Sequence, residues 1–233
     1  MMLTVAILAG GLATRLRPLT EQIPKALLEI DGKPFIRHQL ELLKRNGVSR
    51  VVLCVGHLGE QIREAVGTGG TLGMEIAYAF DGSTPRGTGG ALIHALPLLG
   101  ERFLVLHGDA YLECDYPAIQ SAFLASGKLG LMTVFRNNGQ WDRSNVLYGD
   151  GRILRYDKAQ PTADMAYIDY GLGALRAAAL SAYPADVAVD LAVIYQDLVG
   201  RDQLAGYEVE RRFYEIGSPA GLAETRRYLS ARF

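Results

Sequence analysis

The sequence predicts an α/β protein, with a mostly parallel sheet in its first half and a mixed sheet in its second. Three observations carry that prediction. Arg50 to Val55 (RVVLCV) and the run 103–107 show almost no polar alternation, as strands buried on both faces do. Between such runs lie stretches whose apolar residues recur every three or four positions, the helical period. The connections are short, so strand and helix alternate through right-handed crossovers.

Thr4 to Leu8 is the first strand, aliphatic and β-branched. After a glycine-containing loop, 26–30 reads as a short extended piece closed by a turn at Asp31-Gly32. Ile36, Leu40 and Leu43, spaced i, i+4, i+7, predict a helix over 35–46 that Gly47 stops. A strand over 50–55, a helix over 59–66, a strand over 75–80, a helix over 89–99 and a strand over 103–107 follow. From Asp109 the pattern loosens. A helix over 116–126, with Pro117 in its first turn, precedes strands over 129–135, 145–148 and 153–157 joined only by loops. A longer strand covers 167–175, so this half is antiparallel or mixed. Leu191, Ile194 and Leu198 mark a helix, and Ser218-Pro219 opens the last one with an N-cap and a proline at the first helical position. No repeat, low-complexity segment or linker interrupts the chain, so 1–233 is expected to form one domain in two halves, 1–110 and 111–233.

The 233 residues carry a net charge of −1 with both signs interleaved, which argues against a nucleic-acid surface. No apolar run reaches membrane-spanning length and no leader pattern opens the chain, so a soluble, cytoplasmic protein is expected. Cys54 and Cys114 are too few for a disulfide framework and are expected to be reduced thiols. The four histidines show no metal-ligand spacing, and no Gly-x-Ser-x-Gly elbow is present. Trp141 and the twelve tyrosines are assigned to packing.

The chemistry concentrates in the run 8–25, LAGGLATRLRPLTEQIPK. Gly10 and Gly11 let the backbone turn and approach a ligand closely, and consecutive loop N–H groups can hold phosphate oxygens. Arg15, Arg17 and Lys25 add cations, with Pro18 and Pro24 stiffening their loop. Neither the G-x-x-x-x-G-K-[ST] loop nor the G-x-G-x-x-G fingerprint occurs here. Pro85-Arg86-Gly87-Thr88-Gly89-Gly90 enters an apolar helix and offers backbone donors at its N-terminus, whereas the other Gly-Thr-Gly-Gly, at 67–70, reads as a helix stop and turn. Gly108-Asp109 ends a strand, at the edge where open parallel sheets bind ligands. Phe213-Tyr214-Glu215-Ile216-Gly217-Ser218-Pro219 precedes the last helix.

These elements resemble, in order, the signature of the sugar-phosphate nucleotidyltransferases: L-A-G-G-x-G-T-R-L-x-P-x-T…P-K, then P-x-G-T-x-G, G-D and x-D-[IV]-G-[ST]-P. Two departures are visible: Ala13 stands where the family usually has glycine, and Glu215 where it has aspartate. The resemblance covers essentially the whole chain and is nearest the short members that activate heptose, mannose or N-acetylmuramic acid 1-phosphates. It implies a Rossmann-like three-layer α/β/α sandwich with a nucleotide-binding half and a mixed, sugar-binding half. The implied reaction condenses an NTP with a sugar 1-phosphate, giving an NDP-sugar for cell-surface polysaccharide or glycoconjugate synthesis, and pyrophosphate. By the same resemblance, Leu8, Ala9, Gly10, Gly11, Thr14 and Arg15, with Gly87, Thr88 and Gly89, bind the nucleotide. Arg15, Lys25 and Asp109 are catalytic, Lys25 spanning the α-phosphate and the incoming phosphate. Asp109 and Glu215 hold Mg²⁺, a hard cation suited to carboxylate and phosphate oxygens. Tyr156-Asp157-Lys158 and Ile168-Asp169-Tyr170-Gly171 resemble the sugar-side stretches, which assigns Asn145, Asp157, Lys158, Asp169 and Gly171 to the sugar phosphate. Relatives often carry a base-reading glutamine five residues before Gly87; Gly82 stands there, so the base stays open. So does oligomeric state, with a homodimer as one option. Two rival readings are a cytidylyltransferase acting on a non-sugar phosphate and a catalytically silent nucleotide-sugar sensor.

Overall fold

The computed structural model describes residues 1–82, 84–184 and 187–231. In chain order the first half holds β1 (Thr4–Leu8), β2 (Glu29–Ile30), β3 (Lys33–Pro34), α1 (Phe35–Arg45), β4 (Arg50–Val55), α2 (Gly59–Val66), β5 (Glu75–Phe80), α3 (Gly87–Leu99) and β6 (Arg102–His107). The second half adds β7 (Ala110–Tyr111), α4 (Tyr116–Ser126), β8 (Gly130–Arg136), β9 (Val146–Gly149), β10 (Arg152–Tyr156), β11 (Tyr167–Arg176), α5 (Leu191–Gly200), β12 (Leu204–Val209), β13 (Tyr214–Glu215) and α6 (Pro219–Ser230).

Nine strands form one sheet in the order β5-β4-β1-β6-β11-β8-β12-β10-β9. The four first-half strands of this sheet, β5, β4, β1 and β6, pair in parallel, as their unbroken apolar runs predict. The direction changes at β11, which is antiparallel to both β6 and β8. The mixed second half is therefore present, as expected.

Alternation along β1 shows why both faces are covered. Val5 and Ile7 enter a core with Ile36 and Leu40 of α1, Ile62 of α2 and Phe123 of α4. Ala6 enters the opposite core with Leu92 of α3 and Ile194 and Leu198 of α5. Helices on both faces make the three-layer α/β/α sandwich. A third, smaller core gathers Leu16, Phe35, Tyr111, Ile216 and Leu222. It clamps the loop after β1 against the start of α6.

Two element expectations are corrected. The piece expected over 26–30 is a 3₁₀ turn over Lys25–Leu27, and only Glu29–Ile30 is extended, pairing with β3 across the Asp31-Gly32 turn. Strand β12 was not expected, because Gly206 interrupts a short and weakly patterned run. Its glycine is required by packing: a Cβ there would stand 2.5 Å from the Tyr148 ring and 3.0 Å from Ile153.

Candidate active site

Strands β1, β5 and β6 present their carboxyl ends along one edge, and the candidate residues follow them directly. The β1 ladder runs one residue past the strand, through the Ala9 N–H bond to the Cys54 carbonyl at 2.8 Å. Gly10 then passes so close to its neighbours that a Cβ would meet Asp81 Oδ2 and the Gly56 nitrogen, both at 3.1 Å. Gly11 has open space around it. Ala13, the departure from the family pattern, sits in the left-handed region at φ 48, ψ 39. That conformation explains the usual glycine, since an L-residue there costs about 1–2 kcal/mol. The Thr20 hydroxyl braces it by donating to the Ala13 carbonyl at 2.8 Å.

At the end of β6, a Cβ on Gly108 would lie 2.4 Å from the Leu8 carbonyl, so only glycine lets the chain cross here. The next residue, Asp109, accepts from Lys25 Nζ at 2.6 Å. Burial alone would raise the Asp109 carboxyl, but Lys25, and then His107, outweigh it and hold it below the usual carboxylate range. Strand β13 pairs with β7, placing Glu215 opposite Ala110, and the Ile216 N–H donates to the Asp109 carbonyl at 2.9 Å. A Cβ on Gly217 would stand 2.8 Å from Glu215 Oε2, 3.0 Å from Asp109 Oδ2 and 3.1 Å from Arg15 Nη2. Two carboxylates and the Arg15 guanidinium thus gather around one backbone point, with Lys25 against Asp109.

The sugar-side residues form a second group. Asp169 accepts from the Tyr156 hydroxyl at 3.1 Å and from the Gly171 N–H at 3.1 Å, with Lys158 Nζ 3.7 Å away. Asn145 Oδ1 accepts the Asp169 N–H at 3.0 Å. Burial pushes the Asp169 carboxyl up; Lys158, His107 and these hydrogen bonds pull it down further, below its ordinary value. One cavity of about 290 Å³ runs from Gly10, Gly11, Asp81 and Gly87 to Lys25 and Asp109. A wider one of about 540 Å³ holds Arg15, Asn145, Gly171 and Glu215. They meet at His107, Asp109, Lys158 and Asp169, which line both.

The sequence pattern of the nucleotidyl transferase family matches residues 4–144. The chain belongs to that family. Over 113 residues it is 42% identical to the N-acetylmuramate alpha-1-phosphate uridylyltransferase of Neisseria meningitidis, covering 48% of this chain and 49% of that protein. Over 109 residues it is 38% identical to the D-glycero-alpha-D-manno-heptose 1-phosphate guanylyltransferase of Campylobacter jejuni, covering 47% and 48%. The matched stretch thus spans about half the length of these curated relatives. The crystal structure of HddC from Yersinia pseudotuberculosis superposes with a TM-score of 0.82 at 24% identity, over 98% of this chain and 100% of that one, which establishes the fold.

Not every residue assigned through the family pattern reaches the cleft. Asp157 lines neither cavity; its carboxylate instead caps a turn by accepting the Ala159 and Gln160 N–H groups at 3.0 and 2.8 Å. Thr14 is exposed in a 3₁₀ turn and also lines neither. Ala9 is buried beneath the loop, away from both. At the start of α3, the donors expected to face a ligand reach protein instead. The Gly89 and Gly90 N–H groups both donate to the Val189 carbonyl, at 2.9 and 3.1 Å. Thr88 Oγ1 accepts the Leu191 N–H at 2.8 Å. Gly87 and Thr88 still line the first cavity, whereas Gly89 does not. The other Gly-Thr-Gly-Gly is a turn, with positive φ at Gly67 and Gly69.

Residues that motif reading missed stand between the assigned ones. Asp81 follows β5 and lines the first cavity, 9% exposed. Burial raises its carboxyl, opposed by Arg86, His94 and the Arg86 backbone N–H. His107 ends β6, one residue before the Gly-Asp pair. Both occupy strand carboxyl ends, so the rule that open sheets bind ligands there could have found them. Trp141 corrects the packing assignment: it is 44% exposed and lines the second cavity. Among the described residues, no three His, Cys, Asp or Glu side chains converge as a metal cage. Asp109 and Glu215 are hard oxygen donors gathered at one point, which suits Mg²⁺, a cation that completes its shell with substrate phosphates and water. Among the described residues no helix is long and apolar enough to cross a membrane.

Proposed function

We propose that this protein is a sugar-1-phosphate nucleotidyltransferase, condensing an NTP with a sugar 1-phosphate into an NDP-sugar and pyrophosphate. The observation that supports this reading is the meeting of the two cavities at Asp109 and Lys158, with Lys25 beside Asp109. A nucleotide along Gly10, Gly11 and Gly87 brings its phosphates toward Lys25 and Arg15. A sugar phosphate beside Lys158 then faces the same point from the other side. An oxygen of that phosphate attacks the α-phosphorus, the bond from the α-phosphorus to the bridging oxygen breaks, and pyrophosphate leaves with that oxygen's charge.

The protein's part is positioning and charge neutralisation, the main contributions a phosphoryl-transfer site makes. Lys25 is placed to neutralise the transferring group and Arg15 the departing pyrophosphate. Asp109 and Glu215 would hold Mg²⁺, which supplies Lewis-acid neutralisation of phosphate oxygens when bound. Lys25 pairs with Asp109 at the same point. Asp169, fixed by Tyr156 and Gly171, sets Lys158 in place. The NDP-sugar so formed would serve as a glycosyl donor for polysaccharide or glycoconjugate assembly.

The test is a matrix of NTPs against sugar 1-phosphates and against non-sugar phosphates such as phosphocholine, read by pyrophosphate release with and without Mg²⁺. Turnover confined to sugar 1-phosphates supports the reading. Release only with a non-sugar phosphate, or nucleotide-sugar binding without a single turnover, overturns it.

A further inference from the structure

Trp141 is the only tryptophan in the chain, and it stands at the mouth of the second cavity rather than in a core. An exposed tryptophan leaves a large apolar surface in water, so a fold that holds one rigidly calls for a reason. This one is held rigidly. Its loop is built around Asn137, whose side chain is fully buried. Asn137 Nδ2 donates to the Asp142 carbonyl at 2.6 Å and to Ser144 Oγ at 3.1 Å, while its Oδ1 accepts the Trp141 N–H at 3.2 Å. The Asn137 and Asn138 N–H groups both donate to the Ala166 carbonyl, tying the loop to the chain entering β11.

The ring is also backed from one side. The Arg212 guanidinium lies 3.4 Å from its centroid and is itself anchored by an ion pair to Glu224. Such cation–π contact fixes a ring's plane as well as adding attraction. Arg212 covers one face of the ring and does not line the cavity, whereas Trp141 does, which leaves the opposite face uncovered by this cation.

The residues that share the cavity point to the occupant. The sugar-side residues Asn145, Lys158, Asp169 and Gly171 share this cavity with Trp141, and Gly10, Gly11 and Gly87, where the nucleoside end would lie, do not. A flat aromatic face beside phosphate-binding cations, away from the nucleoside end, suits the carbon face of a pyranose, whose polarised C–H groups are drawn to the negative face of the ring. We propose that Trp141, backed by Arg212, is the platform on which the sugar ring of the sugar 1-phosphate packs. This inference rests on the nucleotidyltransferase reading above.

The unique tryptophan supplies the assay. The probe pair is the NDP-sugar that the enzyme itself forms and the NDP of the same base, which lacks the sugar. The NDP-sugar should shift Trp141 emission to the blue and protect it from iodide quenching, and the NDP should do neither, with inorganic phosphate added or not. Trp141→Ala should raise KM for the sugar 1-phosphate at least about tenfold while leaving KM for the NTP within about twofold, and Trp141→Phe should recover most of the loss. Turnover by the wild type with unmoved emission, or Trp141→Ala with an unchanged sugar-phosphate KM, overturns the platform and leaves the reaction standing. A wild type that turns over no sugar 1-phosphate overturns both.

Discussion

Lys25→Ala tests the site and the fold in one variant. A loop cation facing phosphates does little for a core, so the sequence alone leads one to expect lost turnover and unchanged stability. The structure changes the second half of that expectation. Lys25 Nζ lies 2.6 Å from Asp109 Oδ2, with the two side chains only 17% and 24% exposed. Exposed pairs contribute about 0–1 kcal/mol, and breaking a fully buried one costs about 3–5 kcal/mol. A pair of intermediate burial, with Arg15 close enough to share the load, should cost about 1–3 kcal/mol when its cation is removed. The sign with pH follows from Asp109. Its carboxyl is held below the ordinary value in the folded protein, so its stabilising contribution is present above the unfolded pKa and fades as pH falls through the folded one. Without Lys25, the burial that raises the folded carboxyl loses its main opponent, and much of that contribution goes with it. The gap between wild type and variant should therefore be widest near neutral pH and shrink as pH falls, closing only below the folded Asp109 carboxyl's own value, which lies under that of the free carboxyl. Urea unfolding at neutral and acid pH measures it. A neutral-pH difference under about 0.5 kcal/mol, or one that does not shrink on acidification, would refute the reasoning. Turnover should fall by about 10²–10³, the usual effect of deleting one transition-state contact, and a variant keeping more than about a tenth of the rate removes Lys25 from the mechanism.

Asp109→Asn should abolish Mg²⁺-dependent pyrophosphate release, because an amide is a poor ligand for a hard cation; retained rate and metal response make Asp109 only the partner of Lys25. Ala13→Gly should raise unfolding free energy by about 0.5–1 kcal/mol, the left-handed strain relieved less the extra freedom of the unfolded glycine, as read by chemical denaturation. Equal or lower stability sinks that account. Cys54 is buried, and burial, reinforced by Asp81, pushes its thiol up to about 12. Iodoacetamide near pH 8 should leave it unmodified in the native protein and label it in urea; rapid native labelling would contradict the burial.

The parallel half was legible because its strands are buried on both faces, and an unbroken apolar run such as RVVLCV fits neither a half-exposed strand nor an amphipathic helix. The mixed half was legible only in kind. Gly206 hid β12, and the two-residue strands β7 and β13 are too short to carry a period. Within the site, motif spacing named Lys25 and Asp109, but no spacing shows that they touch, since the contact joins a loop to a strand end 84 residues away. Asp157 was misplaced for a related reason. A Tyr-Asp-Lys string has adjacent side chains diverging, so Lys158 reaches the cleft while Asp157 closes a turn. Trp141 was missed because tryptophan is usually buried, and only accessibility distinguishes a platform from a core residue.

Glu215 braces the start of α6 and also stands beside Asp109, where a metal ligand would be needed. Its carboxylate takes the Gly217 N–H on Oε2 and the Ser218 hydroxyl, at 2.6 Å, on Oε1. Ser218 Oγ in turn accepts the Gly221 N–H at 3.0 Å, so the start of α6 is built onto Glu215. Gly221 has no alternative there, since a Cβ would fall 1.7 Å from Glu215 Oε1. Yet a carboxylate has about four lone-pair sites, and these two bonds leave about half of them free. Anchoring the helix therefore does not use up the group; it fixes where the remaining lone pairs sit, beside Asp109 and Arg15. It also accounts for the extra methylene relative to the aspartate of the family pattern. The longer side chain reaches back to the helix start while its backbone stays paired opposite Ala110.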